Sequence, residues 1–206
     1  MPTLALLDGH NLAYRAFFAL PADLATPSGQ VTNAVYGFTS MVIKLLGEEK
    51  PDAIAVAWDS PQQTFRAERY AEYKAQRQAA PDLFRSQLPL IHEVADVLRM
   101  PQITHPGWEA DDIIATVARA AAAAGWDVLV VSGDRDAFQL VNDSIRVYYP
   151  LRGITETVIA DNAYVTERFG ITPQQYPDYA ALRGDSSDNL PGVPGVGEKT
   201  ASRLVA

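Results

Sequence analysis

The chain has 206 residues, 48% of them hydrophobic, with a formal net charge of −8 and no cysteine. That length holds one domain with a sizeable core and a small appendage, and the hydrophobic content excludes a largely disordered chain. Disulfides and thiolate metal sites are excluded too, and no apolar run approaches the roughly 18 residues that span a membrane.

The N-terminus, MPTLALLDGHN, has no basic segment ahead of its apolar stretch and an acid directly after it. It predicts a strand and not a signal peptide, and a cytoplasmic location is expected. Residues 3–7 (TLALL) run into Asp8, 53–58 (AIAVAW) into Asp59, and 128–131 (VLVV) through Ser132 and Gly133 into Asp134. Short continuous apolar runs of this kind suit strands buried on both faces of a parallel sheet. Between them, Val35, Phe38, Val42, Leu45 and Leu46 share a helical face that Pro51 ends. Pro81 opens a second predicted helix through Leu88, Ile91, Ala95 and Leu98, with Pro89 inside it. Residues 109–124 predict a third helix, closed by Gly125. Residues 145–149 read as a further strand. The β-α-β-α-β alternation predicts an α/β fold with a doubly wound, mostly parallel sheet and right-handed crossovers. Two segments break the rhythm: 61–80 is polar, basic and aromatic, and 184–206 is rich in Gly and Pro before turning helical.

In an open α/β sheet, ligands bind beyond the carboxyl ends of the strands. Asp8, Asp59 and Asp134 all fall there. Each has an ordinary alternative, because an Asp after a strand is commonly a helix N-cap or a turn residue. Glu109, Asp111 and Asp112 stand at a helix start, where acids suit the macrodipole. Strand alternation would aim Asp134 and Asp136 to one side and Arg135 away. Asp185 and Asp188 lie in RGDSSDN, which could be an Asx turn. Four segments bringing acids to one edge for unrelated reasons is a strained coincidence. So many carboxylates repel one another unless hard divalent cations compensate them. Oxygen-only ligands point to Mg²⁺ or Mn²⁺, and a pair of ions suits phosphodiester hydrolysis, one activating water and the other stabilising the leaving oxygen. The net charge argues at first sight against a nucleic-acid partner. Setting aside these nine acids, however, leaves 17 basic against 16 acidic residues, so the total is compatible with DNA without favouring it.

The segments LLDGHNLAYRAFFAL, FRAERYAEYKAQR, GWEADDIIAT, SGDRDAFQLV and ALRGDSSDNLPGVPGVGEKTA resemble, in order and over essentially the whole chain, the 5′-nuclease domain of bacterial DNA polymerase I, within the flap-endonuclease superfamily. The resemblance implies a structure-selective 5′→3′ exonuclease and 5′-flap endonuclease for primer and flap removal. Asp8, Asp59, Glu109 and Asp111 match the acids of its first metal region, and Asp112, Asp134, Asp136, Asp185 and Asp188 the rest. Arg66, Lys74 and Arg77 match the basic residues of a helical arch. Phe65, Tyr70 and Tyr73 between them could stack on unpaired bases. Tyr14 and Arg15 look like residues near the scissile phosphate. Residues 192–200 (GVPGVGEKT) resemble the hairpin of a helix–three-turn–helix element that grips duplex DNA, often with bound K⁺. Gly192, Gly195 and Gly197 would let amides approach a phosphate, and Lys199 would contact it.

The resemblance implies a nuclease core over 1–183, with the arch at 60–80, and the start of the DNA-binding element over 184–206. In the family that element continues, so an end at Ala206 predicts an incomplete one. The expected partners are DNA with a 5′ flap, nick or single-strand/duplex junction, and an RNA primer on DNA. No membrane partner is expected; the chain should be a monomer, with native fusion to a polymerase an open alternative. The alternatives are a PIN-like ribonuclease and a non-catalytic DNA-junction module. An acid-based phosphatase is disfavoured, because Asp8-Gly9-His10 lacks a nucleophile-and-acid Asp pair.

Overall fold

The computed structural model describes residues 1–206. In chain order it places β1 (Thr3–Asp8), α1 (Gly9–Ala19), α2 (Asn33–Glu48), β2 (Ala53–Ala57), α3 (Phe65–Arg69), α4 (Asp82–Arg85), α5 (Leu88–Val97) and β3 (Gln102–Ile103). There follow α6 (Ala110–Ala123), β4 (Asp127–Val131), a 3-10 turn (Arg135–Leu140), β5 (Ile145–Arg152), β6 (Glu156–Ala160), α7 (Asn162–Phe169), α8 (Tyr176–Arg183) and α9 (Glu198–Val205). The strands form one sheet in the order β3-β2-β1-β4-β5-β6, parallel except for the antiparallel β6. The doubly wound α/β expectation holds, and β6 accounts for "mostly".

The apolar runs are continuous because both faces of the sheet are covered. Leu6, Ala55, Ala57, Val128, Val130 and Val147 pack with α6 and the aromatic residues of α7 and α8. Their neighbours one residue away, including Ala5, Leu7, Val56, Leu129, Val131 and Tyr148, pack with α1, α2 and α5. A strand between two such layers has no polar face, which is why its sequence does not alternate.

The predicted helix from Pro81 is two helices. Gln87 lies between α4 and α5, and Pro89 falls in the first turn of α5, where no intrahelical N–H is needed. The break has a use. Gln87 is fully buried; its Oε1 accepts from Ala34 N at 2.8 Å, and its Nε2 donates to Asn33 Oδ1 and Leu83 O. It therefore caps α2, whose own N-cap residue Thr32 makes no capping bond. Gly9 opens α1 because a Cβ there would overlap the Trp58 ring, so β1 and β2 can close up only over a glycine.

The topology places the site. From β1 the chain winds outward through β2 and β3, then returns to the other side of β1 as β4. The order reverses between β1 and β4, and a crevice opens beyond their carboxyl ends. Asp8 ends β1, and Ser132, Gly133 and Asp134 follow β4.

Candidate metal centre

Asp8 does serve as the N-cap of α1, accepting from Asn11 N at 3.1 Å, and Asp134 caps the 3-10 turn by accepting from Asp136 N at 2.9 Å. The ordinary roles and the site roles coincide. Capping fixes the backbone of each Asp at the carboxyl ends of β1 and β4. Asp8 is further held by the Ser132 hydroxyl, which donates to its Oδ2 at 2.9 Å. Asn11 Oδ1 accepts from Gly133 N at 2.8 Å, tying the ends of β1 and β4 together. Asp59 accepts from Ala110 N at 2.8 Å, which fastens β2 to the start of α6.

Asp8, Asp59, Asp111 and Asp134 line one cavity of 1270 Å³ together with Tyr14, Arg15, Lys74 and Arg77. Asp134 also faces a second cavity of 900 Å³, which contains Asp136 and Asp185. Glu109, Asp112 and Asp188 are engaged otherwise. Arg66 donates bidentately to Asp112, both bonds 2.7 Å, while Lys74 Nζ donates to Glu109 Oε1 at 3.0 Å and Arg77 pairs with Asp188. The Tyr73 hydroxyl lies 3.0 Å from both Glu109 Oε2 and Asp188 Oδ2. No three carboxylates close around a common point as a ready-made ligand set.

The electrostatics follow this division. Burial, augmented by Asp59 and Asp134, pushes the Asp8 carboxyl up to about 7 despite its two hydrogen bonds. Burial raises Asp111 well above the usual carboxylate range, with Asp8, Asp134 and Asp59 adding repulsion. Burial and Asp134 bring Asp136 to about 6. At Asp112 burial also acts upward, but the Arg66 guanidinium, the Glu109 amide and Lys74 together hold the group below its ordinary value. Buried, mutually repelling carboxylates with oxygen donors alone are what hard divalent cations fit. Asp8, Asp59, Asp111 and Asp134 are the residues that would hold such an ion in the first cavity, and Asp134, Asp136 and Asp185 in the second.

The arch segment lies down on this site. Beyond α3 it runs in turns, and Lys74 takes a left-handed φ of +57° as its N–H donates to Asp188 O at 3.0 Å. Asn189, also left-handed at φ +58°, donates from its side chain to Glu72 O, and Gln76 and Arg77 donate to the carbonyls of Ser186 and Ser187. Two left-handed non-glycine residues facing each other mark a locally strained seam held by its surroundings.

Several expectations need correction. Tyr73 is not free to stack on a base: it is 9% exposed, and its hydroxyl is committed to two carboxylates. Phe65 leans on Trp108, with ring centroids 5.0 Å apart, and only Tyr70 of the three aromatics is exposed. Arg135 does not point away from Asp134 and Asp136, because residues 135–140 form a 3-10 turn and all three line the same cavity. Gly192 serves packing: a Cβ there would overlap the backbone of Arg183 and Gly184, whereas Gly195 and Gly197 face open space. Lys199 is exposed in the first turn of α9. Tyr14 is 44% exposed against Phe18 and Phe84, and Arg15 is anchored on Gly153 O at 3.1 Å.

Sequence reasoning missed Asn11, Ser132, Arg183 and Glu198. Ser132 sits at the strand edge that marked Asp134, and Asn11 is one helical turn from Asp8, so both carried a positional signal. Arg183 and Glu198 carried none, since only the folding of α8 beside α9 brings them together.

The family described as 5′-3′ exonuclease, N-terminal resolvase-like domain, matches residues 3–170, and 5′-3′ exonuclease, C-terminal SAM fold, matches residues 171–206. The chain is 55% identical over 206 residues to DNA polymerase I of Mycobacterium bovis, covering all of this chain and 23% of that protein. It thus spans about a quarter of the polymerase relatives it matches. It is 42% identical over 205 residues to the 5′-3′ exonuclease of Aquifex aeolicus, covering 69% of that protein. The fold is similar to that of the bacteriophage T5 flap endonuclease crystallised with DNA and metal ions, with a TM-score of 0.79 at 24% identity over 98% of this chain and 74% of that one. The two family descriptions together cover residues 3–206, and the chain belongs to the 5′-3′ exonuclease family.

Proposed function

We propose that this chain is a divalent-metal-dependent nuclease hydrolysing phosphodiester bonds in DNA, as a 5′→3′ exonuclease and 5′-flap endonuclease selective for junctions. The supporting observation is the cavity in which Asp8, Asp59, Asp111 and Asp134 converge at the β1/β4 switch point opposite Lys74 and Arg15. A pair of Mg²⁺ or Mn²⁺ ions bound there would lower the pKa of an attacking water and offset charge on the leaving oxygen. The chain's own residues do the rest. The buried acids fix the site, Arg15 presents a guanidinium held on Gly153 O, and Lys74 and Arg66 supply positive charge from the arch. For phosphate to enter, the arch cations exchange their carboxylate partners for phosphate oxygens.

Specificity comes from DNA shape and backbone, because the exposed basic and amide groups address phosphates and not base edges. The open glycines Gly195 and Gly197 at the start of α9, with Lys199, are the duplex-gripping hairpin, where K⁺ would bind carbonyl oxygens. In this reading 1–183 is the nuclease core and 184–206 the first part of the duplex-binding element. The chain acts as a monomer within a polymerase or as a separate exonuclease, on nicked DNA or on an RNA primer paired to DNA in the bacterial cytoplasm.

The test is a labelled 5′-flap duplex and a matched RNA strand, each incubated with Mg²⁺ or chelator. Metal-dependent cleavage near the flap junction is expected. Cleavage of RNA alone would make the chain a ribonuclease. Binding without cleavage in either metal would make it a junction-binding module.

A further inference from the structure

The acid cluster has basic residues on two flanks, and the fold treats them differently. On the arch flank, Arg66, Lys74 and Arg77 pair directly with site carboxylates. On the opposite flank Arg135 stands between Asp134 and Asp136, and Arg183 lies two residues before Asp185, yet neither forms an ion pair with these acids. Both approach Glu198 at the start of α9, Arg183 while its Nε donates to Gly184 O at 3.0 Å and its guanidinium lies over the Tyr179 ring. Glu198 Oε1 is 3.4 Å from Arg135 Nη1 and 3.7 Å from Arg183 Nη1, and no other carboxylate pairs with either arginine.

The two arginines and Glu198 line the 900 Å³ cavity that contains Asp134, Asp136 and Asp185. Arg135 and Arg183 share that cavity with Asp136 and Asp185, so an arginine released from Glu198 has these carboxylates as its neighbours. A guanidinium that gains a carboxylate holds it in a bidentate fork, as Arg66 holds Asp112, and a carboxylate so held is a poorer cation ligand.

We infer that Glu198 is a positioning residue for the metal centre: it sequesters Arg135 and Arg183, so that Asp136 and Asp185 remain open to a divalent cation. This rests on the metal-centre reading above. It also gives the first turn of α9 a part in the site, in addition to contact with duplex DNA.

The test is Mn²⁺ binding to the DNA-free chain, followed by electron paramagnetic resonance of the free ion. Glu198→Gln should weaken binding about two- to fivefold, as expected for an exposed charge network. Glu198→Gln combined with Arg135→Gln and Arg183→Gln should restore the wild-type affinity or exceed it. Asp178→Asn, which removes the same charge from α8 without freeing an arginine, should leave binding unchanged. Unaltered binding in Glu198→Gln, equal weakening by Asp178→Asn, or a triple variant no tighter than Glu198→Gln would overturn the inference. No Mn²⁺ binding by the wild-type chain would overturn the metal centre itself.

Discussion

Glu109, Asp112 and Asp188 meet Arg66, Lys74, Arg77 and the Tyr73 hydroxyl, whereas Asp8, Asp111 and Asp134 have no lysine or arginine within ion-pairing distance. The first end is an assembled salt-bridge network. In the second, burial and the neighbouring acids push the Asp8 and Asp111 carboxyl groups upward. One cluster thus has two ways of offsetting negative charge: side-chain cations supplied by the arch at one end, and cations from solution at the other. On the proposed function, the arch end would release its partners to phosphate and the sheet-edge end would need an ion.

The largest effect that would break this comparison is on turnover. Asp134→Asn removes the acid that faces both cavities. Single-turnover cleavage of a flap duplex should fall by about a thousandfold or more, with duplex binding largely kept. Retained turnover would take the sheet-edge acids out of the chemistry.

The next effect is on stability. Asp8 has a folded pKa of about 7 against an ordinary 3.8, and Asp136 one of about 6. Between those values the folded chain binds more protons than the unfolded one, so stability is greatest at the acidic side and is lost as pH rises toward 7. In chelator, Tm should drop by roughly 5–10 °C between pH 5 and pH 8, a loss on the order of a few kcal/mol. Added Mg²⁺ or Mn²⁺ should remove most of that drop, because the ions bind the deprotonated carboxylates. A metal-free Tm that climbs over this range would contradict the assignment of uncompensated acids.

A smaller effect sharpens the contrast from the other side. Arg66→Met leaves Asp112 without its bidentate partner, costing about 1–3 kcal/mol. Limited proteolysis within 61–80 should accelerate in chelator, with the cleavage sites mapped by mass spectrometry. An arch no more susceptible than in the wild type would show that the Arg66–Asp112 pair does not hold it down.

Much of this was readable in the residues. Runs such as TLALL-Asp8 and VLVV-Ser-Gly-Asp134 announce buried strands because a strand covered on both faces must be apolar throughout, and the acids beyond them could only fall at the sheet's carboxyl edge. The antiparallel β6 (ETVIA) was missed because a short edge strand has no pattern of its own until β5 offers it a partner. Gln87 reads as a polar residue in a helix, and nothing local shows that it caps α2 more than fifty residues away. Tyr73 reads as an exposed aromatic in a basic loop, yet the fold buries it.

What the sequence by itself determined was the α/β class, the sheet edge that collects the acids, and the oxygen-only chemistry of the ligands, because periodicity and residue type act locally. Which acids are matched by arginine and lysine and which are left to repel one another was decided only in three dimensions. Coulomb energy depends on distances between segments remote in the chain, and only the packing of arch, sheet edge and α9 sets those distances.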